Sequence, residues 1–166
     1  MKVLGVDPGT RATGWALVVV EGNRSRLHGC GVLRPKGPEH AARLADLDRR
    51  FSELIAELEP DCAAVESGFS GRNPKSGLVL AESRGVLLAA LGRIGVPTHP
   101  YSPAQVKSAM VGHGTAEKRQ VAFMVVRLLG LDTPPPSDAA DAAGVALTHI
   151  HSQARSTIRP TRTPGM

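Results

Sequence analysis

The chain opens on short apolar runs and shifts to a helical period after residue 39. Lys2 to Val6, Thr13 to Val20 and Ser25 to Arg34 read as strands, and Glu21-Gly22-Asn23-Arg24 separates the last two as a turn. Consecutive runs with so short a turn predict antiparallel pairing. From Glu39 to Glu59 the residues Leu44, Leu47, Phe51, Leu54, Ile55 and Leu58 fall at spacings of three and four, which predicts an amphipathic helix ended by Pro60.

Strands and helices alternate in the second half. Asp61 to Glu66 (DCAAVE) is short and apolar, as a strand buried in a parallel sheet would be, and Ser67 to Pro74 is a polar, glycine-containing loop. The next helix, Ser76 to Ile94, is apolar on more than one face, the mark of a helix that is buried or shared with another subunit. Val96 to Tyr101 is expected to be a fifth strand. Helices follow at Pro103 to Val111, Glu117 to Leu129 and, after the prolines at 134–136, Asp138 to Ser152. The order β-β-β-α-β-α-β-α-α-α implies an α/β fold with a mixed sheet, antiparallel at the front and parallel afterwards, flanked by helices.

At 166 residues the chain has the length of one domain, expected over 1–154, with a basic tail at 155–166 that has almost nothing to bury and is expected to be disordered. No run approaches the roughly 18 apolar residues of a membrane span, and the N-terminus lacks the apolar core of a secretory signal. Cys30 and Cys62 are too few and isolated for a disulfide framework or a zinc site, so a reduced, cytoplasmic protein is expected. A net charge of +5 favours polyanionic partners. Only five aromatic residues (Trp15, Phe51, Phe69, Tyr101, Phe123) argue against a stacking platform for single strands.

The candidate chemistry is acidic. Asp7, followed by Pro8-Gly9, and Glu66 each sit where a strand leaves the sheet, the edge at which open α/β sheets gather ligands. Asp138 and Asp141, three residues apart, share a face at the start of the last helix. Four converging carboxylates would repel one another unless cations neutralise them, and an all-oxygen set favours Mg²⁺ or Mn²⁺ over zinc. The same residues also suit quieter roles: Asp7 as a turn former, Glu66 as a loop acid, Asp138 and Asp141 as helix-capping acids. Spacing alone leaves both open. His113, His149 and His151 are expected to be structural or solvent-facing.

Four segments, GVDPGTRATGWALV (5–18), AVESGFSGRNPKSGLVLAESRGV (64–86), PAQVKSAMVGHGTAEKRQV (103–121) and PSDAADAAGVALTHI (136–150), together resemble the RuvC family of Holliday junction resolvases, in register over about residues 2–152. The resemblance implies an RNase H-like fold and a homodimer acting on four-way junction DNA in recombination and repair. It implies two Mg²⁺ or Mn²⁺ ions per site and symmetric nicks in two strands of like polarity, leaving 5′-phosphate and 3′-hydroxyl ends. Junction-binding and branch-migration proteins of the Ruv complex are the implied partners.

The family's four carboxylates fall on Asp7, Glu66, Asp138 and Asp141, with Asp7 expected to bridge the ions. Its phosphate-holding lysines fall on Lys107 and Lys118, and an aromatic inserted at the junction centre falls on Phe69. Arg72 and Lys75 are further candidate phosphate contacts, and the helix from Ser76 corresponds to the family's dimer helix, with Leu78, Ala81, Gly85, Leu88 and Ala89 at the interface. The chain departs from the usual pattern at Ser67-Gly68 and Ser70-Gly71-Arg72, where extra glycine makes the loop more pliable and leaves sequence preference open. Alternatives are a YqgF-like nuclease, which is shorter and lacks the Glu-to-Phe loop, a junction binder without catalysis, and an actin-like ATPase fragment.

Overall fold

A computed structural model describes residues 1–9, 11–68 and 74–158. Strands β1 (Lys2–Asp7), β2 (Thr13–Glu21) and β3 (Arg24–Leu33) form the expected antiparallel meander, followed by α1 (His40–Leu58) and β4 (Cys62–Glu66). Then come α2 (Pro74–Arg93), β5 (Thr98–Tyr101), α3 (Pro103–Val111), α4 (Lys118–Leu129) and α5 (Ser137–Ile158). The sheet order is β3-β2-β1-β4-β5, with β1 parallel to β4 and β4 parallel to β5. The mixed five-stranded α/β sheet flanked by helices is thus as expected from the alternation of periods.

The two faces of the sheet have separate cores. Leu4, Val6, Leu17, Ala63 and Val65 pack against Leu47, Phe51 and Ile55 of α1 and Leu87 and Leu91 of α2. Val3, Ala16, Val18, Cys62 and Ala64 pack against Val106, Val121, Val125 and the small-residue face of α5. Because successive strand residues alternate sides, the odd positions of β1 and the even positions of β4 look toward α5. Asp7 and Glu66 close those two series.

α5 lies very close to the sheet because glycines make room for it. A Cβ on Gly5 would stand 1.9 Å from the Ala142 carbonyl oxygen, and one on Gly14 would stand 1.9 Å from that of Asp138. Gly14 is the β2 residue opposite Asp7. These two missing side chains set how near the first turns of α5 come to the end of β1. Farther along, Tyr101 Oη of β5 is 2.8 Å from His149 Nδ1 and 2.9 Å from Ser152 Oγ, tying the second half of α5 to the same sheet.

Three boundaries differ from expectation by two residues or more. α2 begins at Pro74, inside the expected loop, since proline is well suited to a first helical turn. β5 begins at Thr98 because the Val96 N–H instead donates to the Leu91 carbonyl, 3.1 Å, closing the end of α2. α5 continues past Ser152 to Ile158: apolar periodicity stops there, but no proline or glycine breaks the helix before Pro160.

Candidate active site

The strand parity sends the carboxylates of Asp7 and Glu66 to the α5 side of one sheet edge, where Asp138 and Asp141 emerge from the first turns of α5. All four are half-buried. The cationic side of this edge comes from the next helices. Ser102 and Gln105 form a reciprocal capping box at the start of α3, with bonds of 3.2 and 2.8 Å, which fixes the turn that carries Lys107. At the start of α4 the Glu117 N–H donates to Gln120 Oε1, 2.8 Å, and Lys118 follows directly. A cleft of 230 Å³ is lined by Glu66, Lys107, Lys118 and Asp141, with Pro103, Val106 and Val121 as its apolar wall.

The electrostatics show how closely these groups feel one another. Asp7 is pushed up from 3.8 to about 7, first by burial and then by the negative charges of Glu66, Asp141 and Asp138, with Lys118 partly opposing. Glu66 is raised by burial and by Asp141, and lowered in turn by Lys118 and Lys107. Lys118 Nζ lies 2.5 Å from Asp141 Oδ2, and that bond raises the lysine. An edge that holds a carboxylate half-protonated at neutral pH favours a strong cation. Its hard oxygen donors fit Mg²⁺ or Mn²⁺ and are poorly suited to zinc.

The expected convergence of four carboxylates takes the form of a shared, mutually repelling edge. Among the described residues, no three His, Cys, Asp or Glu side chains are drawn tightly enough together to enclose a metal ion. Asp141 is turned to the Lys118 ammonium, which satisfies it locally.

The remaining candidates separate into groups. Phe69 and Arg72 lie outside the described residues, while Lys75 is exposed on the first turn of α2. Leu78, Ala81, Gly85 and Ala89 are exposed along one side of α2, Leu78 at 60%. Leu88 differs: it is half-buried and packs on the α1–α2 core, because its position on the helix turns it inward. Gly68 has a more specific role than pliability, since a Cβ there would stand 2.5 Å from Pro103. His149 is buried, stacked on His99 at 4.3 Å and bonded to Tyr101, a structural residue as expected. Gly5 and Gly14 were not among the candidates, although a glycine inside a strand pattern is itself a signal of close backbone approach.

A mixed sheet in this order, with acids at the ends of β1 and β4 and on a helix laid across them, defines an RNase H-like fold whose acidic edge suits metal-dependent hydrolysis. The family model for crossover junction endodeoxyribonuclease RuvC matches residues 3–149. The chain belongs to the RuvC family. Curated relatives under the same description include those of Syntrophomonas wolfei, 46% identical over 92% of this chain and 90% of the relative, and Chlorobium phaeovibrioides, 47% identical over 90% and 81%. Among solved structures, Thermus thermophilus RuvC in complex with a Holliday junction substrate superposes with a TM-score of 0.87 at 37% identity, covering 95% of this chain and 97% of that one. The yeast mitochondrial resolvase Ydc2, at 16% identity and a TM-score of 0.69, shares the fold. RuvC nucleases depend on divalent metal, in keeping with the donor set at this edge.

Proposed function

We propose that this protein resolves Holliday junctions by hydrolysing phosphodiesters at the edge formed by Asp7, Glu66, Asp138 and Asp141. The observation that carries this reading is the cleft in which Glu66 and Asp141 stand beside Lys107 and Lys118, with the Asp7 carboxyl raised by burial and by the neighbouring acids. A pure DNA-binding protein gains nothing from acids set against phosphates. Asp7 and Glu66, with Asp138 and Asp141, are the groups to hold two Mg²⁺ or Mn²⁺ ions. Such ions supply Lewis-acid stabilisation of the phosphoryl oxygens and lower the pKa of water. Lys107 and Lys118, on the wall of the same cleft, hold the scissile phosphate and its neighbour by charge. Lys118 must exchange Asp141 for phosphate when DNA arrives, which also frees the carboxylate.

The exposed side of α2, with Leu78, Ala81, Gly85 and Ala89, supports a two-fold homodimer that places one acidic edge at each of two symmetry-related strands, giving paired nicks with 5′-phosphate and 3′-hydroxyl ends. Phe69 is assigned to stacking at the junction centre, and Arg72 and Lys75 to phosphate contact, on the family resemblance. The single domain over 1–154 with a basic extension, the cytoplasmic setting and the Ruv branch-migration partners rest on the same footing. Among the described residues no helix is long and apolar enough to cross a membrane.

The test is cleavage of a synthetic mobile four-way junction against linear duplex of the same sequence, with Mg²⁺ and Mn²⁺ separately, for the wild type and Asp7→Asn. Paired symmetric nicks confined to the junction and lost in the variant support the reading. Tight junction binding without nicks under either metal would instead mean a binding protein.

A further inference from the structure

The face of the sheet away from Lys107 and Lys118 has its own basic cleft. It measures 440 Å³ and is lined by Arg11, Pro35, Arg43 and Val79. These residues come from four segments that meet at the same end of the sheet as Asp7. Arg11 lies in the β1–β2 turn, four residues past Asp7, and Pro35 follows the end of β3, whose Leu33 pairs with Thr13. Arg43 stands in the first turn of α1 and Val79 in the second turn of α2.

Asp46 on α1 and Glu82 on α2, each three residues past a lining residue of the cleft, are engaged with other partners. Asp46 accepts bonds from Arg49, Arg50 and the Lys36 N–H, at 2.8, 2.7 and 2.8 Å. Glu82 is 2.6 Å from His40. Among the described residues neither Arg11 nor Arg43 forms an ion pair, and the polar contact recorded for the Arg43 guanidinium is a long one, 3.4 Å to the Gly37 carbonyl.

We propose that this cleft binds a backbone phosphate of the DNA strand that crosses the catalytic edge. Two guanidiniums from different segments, flanked by the apolar Pro35 and Val79, present the forked donors that match a phosphate. The cleft has no aromatic lining, so it reads backbone and not bases. With Lys107 and Lys118 on the opposite face, the strand is gripped on both sides of the carboxylates, within a few nucleotides of the cut. The inference rests on the junction-cleaving reading above.

The experiment compares junction binding by the wild type and Arg11→Gln/Arg43→Gln, with Arg24→Gln/Arg26→Gln, at the other end of the sheet, as a charge-matched control. Neutral methylphosphonates replace single phosphates within about five nucleotides of the cut. The cleft variant is expected to bind about tenfold more weakly, with a salt slope lower by about one to two. At one phosphate position, neutralisation weakens the wild type and leaves the cleft variant unchanged. Arg11→Lys/Arg43→Lys, which keeps the charge without the fork, should recover part of the affinity, and unchanged melting excludes misfolding. Equal losses in the cleft and control variants, or no position at which the methylphosphonate effect disappears, would overturn the proposal. So would junction affinity unchanged in the cleft variant, the outcome expected if the cleft served an acidic peptide. Failure of the wild type to cleave junctions would count against the parent reading and not against this cleft.

Discussion

Replacing Asp7 by Asn removes a charge that the fold holds at a cost, so at pH 8 the variant should be more stable than the wild type in the absence of divalent cations. The carboxyl is raised from 3.8 to about 7, with burial the first cause and Glu66 the second. A folded-state pKa above the unfolded one means that the native protein binds more protons between about pH 4 and 7, and stability falls as pH rises through that window. At 1.36 kcal/mol per pH unit, the full penalty above pH 7 is roughly 4 kcal/mol. Less than half of it is already present at pH 5, so the gap between variant and wild type should widen by roughly 3 kcal/mol between pH 5 and pH 8. The pH-independent cost of desolvating the amide, about 1 to 3 kcal/mol, shifts both values equally. Urea unfolding in EDTA at the two pH values measures the gap, and millimolar Mg²⁺ at pH 8 should narrow it by stabilising the wild type alone. A gap that stays flat or shrinks with rising pH would refute the account of Asp7 as a charge strained by its neighbours.

Gly14→Ala would place a Cβ 1.9 Å from the Asp138 carbonyl oxygen, so α5 must move by about 1 Å; on the general sensitivity of reacting geometry, junction cleavage should fall about 100-fold. Junction binding should persist, and wild-type cleavage rates would sink the idea that this glycine seats the carboxylates. Lys118→Ala removes a charge that lowers both Asp7 and Glu66. Its pH–rate profile at fixed Mg²⁺ should move to higher pH, and an unmoved profile would refute the coupling. Phe51→Ala, at a fully buried position beneath the sheet, should cost about 3 to 5 kcal/mol in urea unfolding with the cleavage products unchanged.

The sequence made visible what depends on local periodicity. Alternation along β1 and β4 and the three-and-four spacing in α1 are statements about which side of an element is apolar, and each element can be recognised without its neighbours. The same alternation carries Asp7 and Glu66 to one side, so half of the acidic edge was legible as soon as the strands were paired in the right order. The meeting with Asp138 and Asp141 was legible only through the family resemblance, because from the residues alone it depends on how close α5 comes to the sheet. That distance is set by Gly5 and Gly14 in strands distant in sequence from the helix they receive. A missing side chain leaves no pattern of its own, and its meaning appears only with the carbonyl that fills the space.

Charge was the least legible quantity. Arg11, Arg43, Arg49 and Arg50 are indistinguishable as letters in a basic chain, yet Asp46 takes up Arg49 and Arg50, while the other two line an open cleft without an ion pair among the described residues. The difference follows from helix geometry: Asp46 reaches residues three and four positions ahead on α1 with short bonds, and Arg43, three positions behind, faces the sheet end instead. Lys118 shows the converse. A lysine that would ordinarily be read as a solvated helix residue lies against Asp141, because α4 begins where α5 begins and both open onto the same edge. The net charge of the chain therefore describes its attraction to DNA, whereas the positions proposed to act on DNA are those whose acids are engaged elsewhere or must be exchanged for phosphate. In this protein those positions lie on both faces of the sheet, with the acidic edge between them.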